Sequence, residues 1–262
     1  MSSIIATRLG DHLKKVGLPE QSGFMPSHGC VDATATLKAT LQSMKDRNHD
    51  AYVLFVDLMK AFDSVNREML WQILAKYGIP VPLVDVIEKM YADIEVTTSV
   101  GKAKTTFPST SGVKQGDNLA PLLFLFVVQA ATETMEKNWS FEKPDLSVTP
   151  KNLMNHRDSA KRGHTPLAFN KAFYADDAAF IFLSRAELIE GTTFITKEFA
   201  RFGLAVHLGT KEPTRVPGKT EAMHFPARGT TPDPTATDDY DVLDNSCFTC
   251  TSATRFDTLE LK

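Results

Sequence analysis

Phe173-Tyr-Ala-Asp-Asp-Ala-Ala-Phe-Ile-Phe182 sets an acidic pair, Asp176 and Asp177, between two apolar arms. Short apolar runs on both sides of a tight polar centre predict two strands folded about a turn, with the carboxylates at its tip. A second run, Tyr52-Val-Leu-Phe-Val56, is β-branched and aromatic and ends on Asp57, about 120 positions earlier. It reads as a buried strand that delivers a carboxylate at its end. If the two segments are neighbours in one antiparallel sheet, Asp57 and Asp176 meet at one edge and can hold divalent cations between them. Paired ions about 3.5 to 4 Å apart support in-line nucleotidyl transfer, and Mg2+ suits carboxylate oxygens combined with substrate phosphates. The alternative is turn chemistry on a solvated face, since Asp is a favoured turn residue.

Working outward, helical spacing of apolar residues predicts helices over Ile4–Val16, Asp32–Met44, Val65–Tyr77, Pro82–Tyr91, Asn118–Lys137 and Glu187–Phe202. Gly17, Gly78 with Pro80, and Gly203 stand where helices stop. The Val- and Thr-rich run Ile94–Val100, followed by Gly101, predicts a hairpin reaching about Val113, and Ala222–Phe225 a short strand. Periodicity is lost from Ser140 to Asn170, a long loop or insertion, and Lys211–Lys219 reads as a loop. Beyond Pro226 apolar density falls while Pro, Thr and Asp rise, which predicts a poorly ordered tail.

The chain has 262 residues, 42% of them hydrophobic, enough for a core and incompatible with a disordered or fibrous protein. Three cysteines, Cys30, Cys247 and Cys250, are too few for a disulfide framework and point to a reducing, intracellular setting, without choosing nucleus or cytoplasm. Met1–Gly10 carries no apolar signal segment. The longest apolar run, Leu119–Ala131, falls short of the roughly 18 residues of a membrane span and reads as a buried helix. Cys247-Phe-Thr-Cys250 has the spacing of half a zinc site, but four ligands are needed and no second pair lies nearby. Net charge is −3, yet the first 231 residues hold 27 basic against 25 acidic residues, so the acid excess sits in the tail. That balance neither requires nor excludes a nucleic-acid partner.

The wording around each acid resembles the reverse transcriptase family, in the branch of non-LTR retrotransposons and group II introns. Phe55-Val-Asp57-Leu-Met-Lys-Ala-Phe62-Asp-Ser-Val65 is similar to that family's first palm motif. Gly112-Val-Lys-Gln115-Gly116, continuing to Pro121 and Phe124, is similar to its Gln-Gly motif, and Tyr174-Ala-Asp176-Asp177 to its signature tetrapeptide. Gln21-Ser-Gly23-Phe24 with Asp32 resembles the upstream fingers block, and Gly203-Leu-Ala-Val with Lys219-Thr-Glu221 the downstream one. These blocks keep the family order across residues 21 to 225.

The resemblance implies an α/β (α+β) palm-and-fingers polymerase: a small antiparallel sheet carrying the acids, backed by helices. Residues 1–50 would be partial fingers, 51–225 palm with fingers elements, and 226–262 the acidic tail. It implies RNA-directed DNA polymerisation, with an RNA template, a DNA primer, deoxynucleoside triphosphates and two Mg2+ ions, or Mn2+ in their place. Asp57, Asp176 and Asp177 would be the metal ligands, and Lys219 a general acid for departing pyrophosphate, with Lys211 its competitor. Phe62 would be a steric gate against ribonucleotides or, alternatively, helix packing. Gln115, Gly116 and Tyr174 would line the substrate.

Departures from the family pattern are Met25, where many relatives carry an arginine that holds the triphosphate, and Ala120, where serine is common. Arg157, Lys161 and Arg162 fall in the basic loop and either track a template or are simply solvated. No stretch resembles a thumb, an endonuclease or an RNase H, so a partner or a larger polyprotein would supply thumb and endonuclease. The rival readings are a truncated, inactive element fragment that at most binds nucleic acid, an RNA-dependent RNA polymerase, and a metal-binding structural domain.

Overall fold

The computed structural model describes residues 1–144, 169–210, 216–229, 237–242 and 246–252. Six helices and nine strands follow one another among these residues: α1 (Ser2–Val16), α2 (Cys30–Asp46), β1 (Ala51–Val56), α3 (Arg67–Lys76), α4 (Val81–Tyr91), β2 (Glu95–Val100), β3 (Ala103–Pro108), α5 (Ala120–Lys137), β4 (Lys171–Tyr174), β5 (Asp177–Phe182), α6 (Arg185–Ala200), β6 (Gly209–Thr210), β7 (Glu221–Phe225), β8 (Thr237–Asp241) and β9 (Ser246–Ser252). The main sheet runs β4-β5-β1-β7-β9-β6, with β8 added on β9.

β1 is central and apolar throughout because both faces of the sheet are covered, a situation in which a strand loses its polar alternation. Leu54 and Val56 join a large core with α1, α3, α4, α5 and α6. Ala51 and Val53 join a second one with Leu37, Leu41 and Met44 of α2 and with Ala179, Ile181 and Phe225. α5 shows why Leu119–Ala131 carries so little polarity: residues 123 to 129 are all buried, with α1, α3 and α6 packed around the helix. Among the described residues, no helix is long and apolar enough to cross a membrane.

Local chemistry sets the helix ends. Asn66 Oδ1 accepts the Met69 N–H at the start of α3. Ser184 Oγ accepts the Glu187 N–H at the start of α6, and the Glu187 carboxylate accepts the Leu183 N–H. α6 lies directly on the sheet at Gly191, where a Cβ would fall 2.2 Å from the Phe182 ring.

The expected disorder beyond residue 225 does not hold for β8 and β9. β9 pairs in parallel with β7 and antiparallel with β6 and β8. Cys247, Phe248, Cys250 and Tyr240 are buried there, while Asp238, Asp239 and Asp241 stand exposed on the outer strand. Acidic residues on a sheet edge discourage pairing with other chains, so the composition that reads as a disordered tail is here that of a protected edge. Cys247 and Cys250 are three positions apart on one strand and therefore face opposite sides of the sheet, which removes the half zinc site. The predicted loop over 140–170 lies mostly outside the described residues, as do Arg157, Lys161, Arg162 and Lys211.

Candidate active site

The register of three antiparallel ladders gathers the chemistry. β4 and β5 close with Tyr174 opposite Asp177, leaving Ala175 and Asp176 as a two-residue turn. β1 pairs with β5 up to Val56 opposite Ala178, so one further step sets Asp57 beside Asp177. β1 pairs with β7 up to Phe55 opposite Glu221; beyond that pair the backbone of His207 lies between the two segments, bonded to the Asp57 carbonyl on one side and to the Lys219 N–H on the other. Tyr174, Asp177 and Asp57 thus form a row across three strand ends, with Asp176 at the apex of the adjoining turn and Lys219 beyond His207, near enough for its charge to act on Asp177.

The carboxylates sense one another. Asp177 is half-buried and its carboxyl is pushed up to about 6, first by burial and then by the charges of Asp176 and Asp57, with Lys219 partly opposing them. A carboxyl raised in the fold above its ordinary 3.8 favours folding most below that value, and the contribution declines as pH rises through about 6. Asp177→Asn is therefore expected to stabilise the metal-free protein at pH 8 by about 1 kcal/mol, after allowance for solvent screening, or roughly 2 to 4 °C. The gain should vanish near pH 4, and thermal unfolding at the two pH values measures it. Among the described residues, no group of three or more His, Cys, Asp or Glu side chains is placed so as to hold a metal ion.

His207 is a neighbour of the site that sequence reasoning missed. Its Nδ1 lies 3.2 Å from Asp57 Oδ2, its N–H donates to the Asp57 carbonyl at 2.8 Å, and its carbonyl accepts the Lys219 N–H at 3.1 Å. The Asp57 N–H donates to the Thr220 hydroxyl at 3.3 Å. Nothing local in the sequence marks His207; the short Leu58–Val206 bridge brings it alongside.

Phe62 follows β1 in the loop before α3. Its ring stacks on Phe124 at 4.8 Å between centroids and meets Phe24 edge-on at 6.4 Å. Gln115 is exposed and its Nε2 donates to Asp63 Oδ1 at 3.0 Å, which draws the Gln-Gly loop to the residue after Phe62. Gly116 has φ 84°, in the left-handed region that favours glycine, with open space where a Cβ would be. Arg67, also missed in the sequence, ties this loop down by donating to the carbonyls of Tyr91, Ser109, Ser111 and Gly112.

Over residues 1–209 the chain matches the family described as reverse transcriptase (RNA-dependent DNA polymerase). Among curated proteins it is similar to the retrovirus-related Pol polyprotein from type-2 retrotransposable element R2DM of Drosophila melanogaster. Identity is 31% over 136 residues, 52% of this chain and 13% of that protein. The R2 Pol polyprotein of Nasonia vitripennis is 30% identical over 141 residues, 53% of this chain and again 13% of that protein. The chain therefore spans a small fraction of the length of these relatives. Among solved structures, telomerase from Candida tropicalis with a fragment of telomeric RNA shares the fold at a TM-score of 0.53 and 11% identity, over 78% of this chain and 31% of that one. A truncated apo form of the same telomerase gives 0.52 over 88% and 41%. The palm-type fold and the ordered motifs around Asp57, Gln115 and Asp176 agree with these matches, and the chain belongs to the reverse transcriptase family.

Proposed function

We propose that this chain is the polymerising core of an RNA-directed DNA polymerase, adding deoxynucleotides to a DNA primer on an RNA template. The observation that carries the reading is the convergence of Asp177 and Asp57 at neighbouring strand ends, with Asp176 in the turn beside them and the charge of Lys219 acting on Asp177. Three carboxylates share one sheet end, one of them already resisting ionisation, and a divalent cation would offset their mutual repulsion. Asp57, Asp176 and Asp177 would hold Mg2+, or Mn2+ in its place, and the bound ion would neutralise charge on the transferring phosphoryl group.

Around that centre the chain's own residues orient and discriminate. Lys219, exposed beyond His207, can donate a proton to departing pyrophosphate. Tyr174, Gln115 and Gly116 line the approach of the incoming nucleotide, with Gly116 permitting close backbone contact. Phe62, backed by Phe124, is rigid enough to exclude a 2′-hydroxyl by size. Within a polyprotein like those of the R2 relatives, other segments would supply a thumb and an endonuclease.

The test is extension of a primed RNA template by the purified chain with deoxynucleotides and Mg2+. Phe62→Val should raise ribonucleotide incorporation relative to deoxynucleotide by about 100-fold, since the size-based barrier is removed. Unchanged sugar selectivity in an active variant would return Phe62 to helix packing. A folded chain that binds primer–template without extending it would support the inactive-fragment reading instead.

A further inference from the structure

We propose that Gln21 is the positioning residue of the acidic turn, holding Ala175 in the conformation that presents Asp176 and Asp177 to a cation. The functional part of this inference rests on the polymerase reading above.

Ala175 has φ 59°, a left-handed conformation that residues with a Cβ adopt at an energetic cost. A two-residue turn also leaves the N–H and C=O of its first residue without partners in the ladder. Ala175 is buried, so those groups need partners within the protein. Gln21 provides both. Its Oε1 accepts the Ala175 N–H at 3.0 Å, and its Nε2 donates to the Ala175 carbonyl at 3.2 Å. The same Oε1 accepts the Gly23 N–H at 2.8 Å, which fixes the amide's orientation.

The clamp is itself held in place. The Phe173 N–H donates to the Glu20 carbonyl and the Ser22 N–H to the Phe173 carbonyl, each at 2.9 Å, so residues 20–22 run along the outer side of β4. Gly23 permits the approach, because a Cβ there would lie 2.1 Å from the Ala175 nitrogen. Gln21 is buried. Asparagine is one methylene shorter and cannot reach both backbone groups from the same anchor, and leucine offers neither donor nor acceptor.

A residue that merely filled space here would affect stability alone. A residue that sets the turn also governs how well two carboxylates converge on an ion, and displacement by about 1 Å at a reacting centre can cost on the order of 100-fold. The test compares the full chain with Gln21→Asn and Gln21→Leu, the former kept as the milder change should the latter not fold. Three quantities are read: amide hydrogen exchange at Ala175 and Gly23, Mn2+ binding to the protein alone by electron paramagnetic resonance, and kcat, KM and Mg2+ requirement in primer extension.

Exchange at Ala175 is expected to quicken by about tenfold or more as the bonds to Gln21 are lost. Mn2+ affinity should fall about fivefold, and kcat on the order of 30-fold with KM changed less than about threefold, because the loss falls on orientation and not on substrate binding. Unchanged exchange would overturn the clamp. Faster exchange with unchanged Mn2+ affinity would overturn the positioning role. A wild-type chain that binds Mn2+ without extending primers would count against the polymerase reading alone, leaving Gln21 to be judged on exchange and Mn2+ affinity.

Discussion

Primer extension by Asp176→Asn is expected to fall by at least about a thousandfold, because the ligand role proposed for Asp176 would be worth several kcal/mol in the transition state and each 1.36 kcal/mol is tenfold in rate. The substitution preserves shape and a residue type tolerated in turns, so the fold should survive. Asp176 is half-buried beside Ala175 at the apex of the turn. Its charge contributes to the raised Asp177 carboxyl, so the variant should also bring Asp177 closer to its ordinary range. Single-turnover extension on a primed RNA template measures the loss. A variant retaining a tenth of wild-type activity would remove Asp176 from the ligand set.

Lys171→Met is expected to destabilise the protein by about 3 kcal/mol, as breaking a buried ion pair strands its partners. Lys171 is only 2% exposed. Its ammonium bridges Glu20 at 3.1 Å and Glu136 at 2.5 Å, joining the segment before the Gln21 clamp, β4 and α5. Burial acts to raise the Glu136 carboxyl, but the hydrogen bond and charge of Lys171, with Lys143, outweigh it and hold the group below 4.5. A depressed carboxyl contributes stability above 4.5 that is lost as pH falls through its folded value. The penalty of Lys171→Met should therefore be full at pH 7, a melting temperature lower by roughly 6 to 12 °C, and shrink toward pH 4 as the stranded Glu136 carboxylate takes up a proton. Adding Glu136→Gln should recover part of the loss at pH 7. An equal penalty at both pH values would show that lost packing, not charge, is responsible.

Much of the architecture was legible because its signals are local. Three-to-four-residue periodicity marks α1, α3, α4 and α6, and the observed bounds differ from the predicted ones by two residues at most. Paired apolar arms mark β4 and β5, and the Val- and Thr-rich run before Gly101 marks the β2–β3 hairpin. β8 and β9 were not legible, since a strand of Asp, Tyr and Asp becomes recognisable as an edge only once β9 has a neighbour to pair with.

The sequence by itself determined which candidate residues the chain carries and in what order: Asp57 after one apolar run, Asp176 and Asp177 between two more, Lys219 before a short strand, all in the sequence of the reverse transcriptase pattern. Only the tertiary structure decided what surrounds and holds them. His207 beside Asp57, Gln21 on Ala175, Arg67 across the Gln-Gly loop and Lys171 between two glutamates all join segments distant in the chain. The physical reason is that periodicity records which face of an element avoids water, whereas the partner of a buried polar group is settled only when distant faces meet.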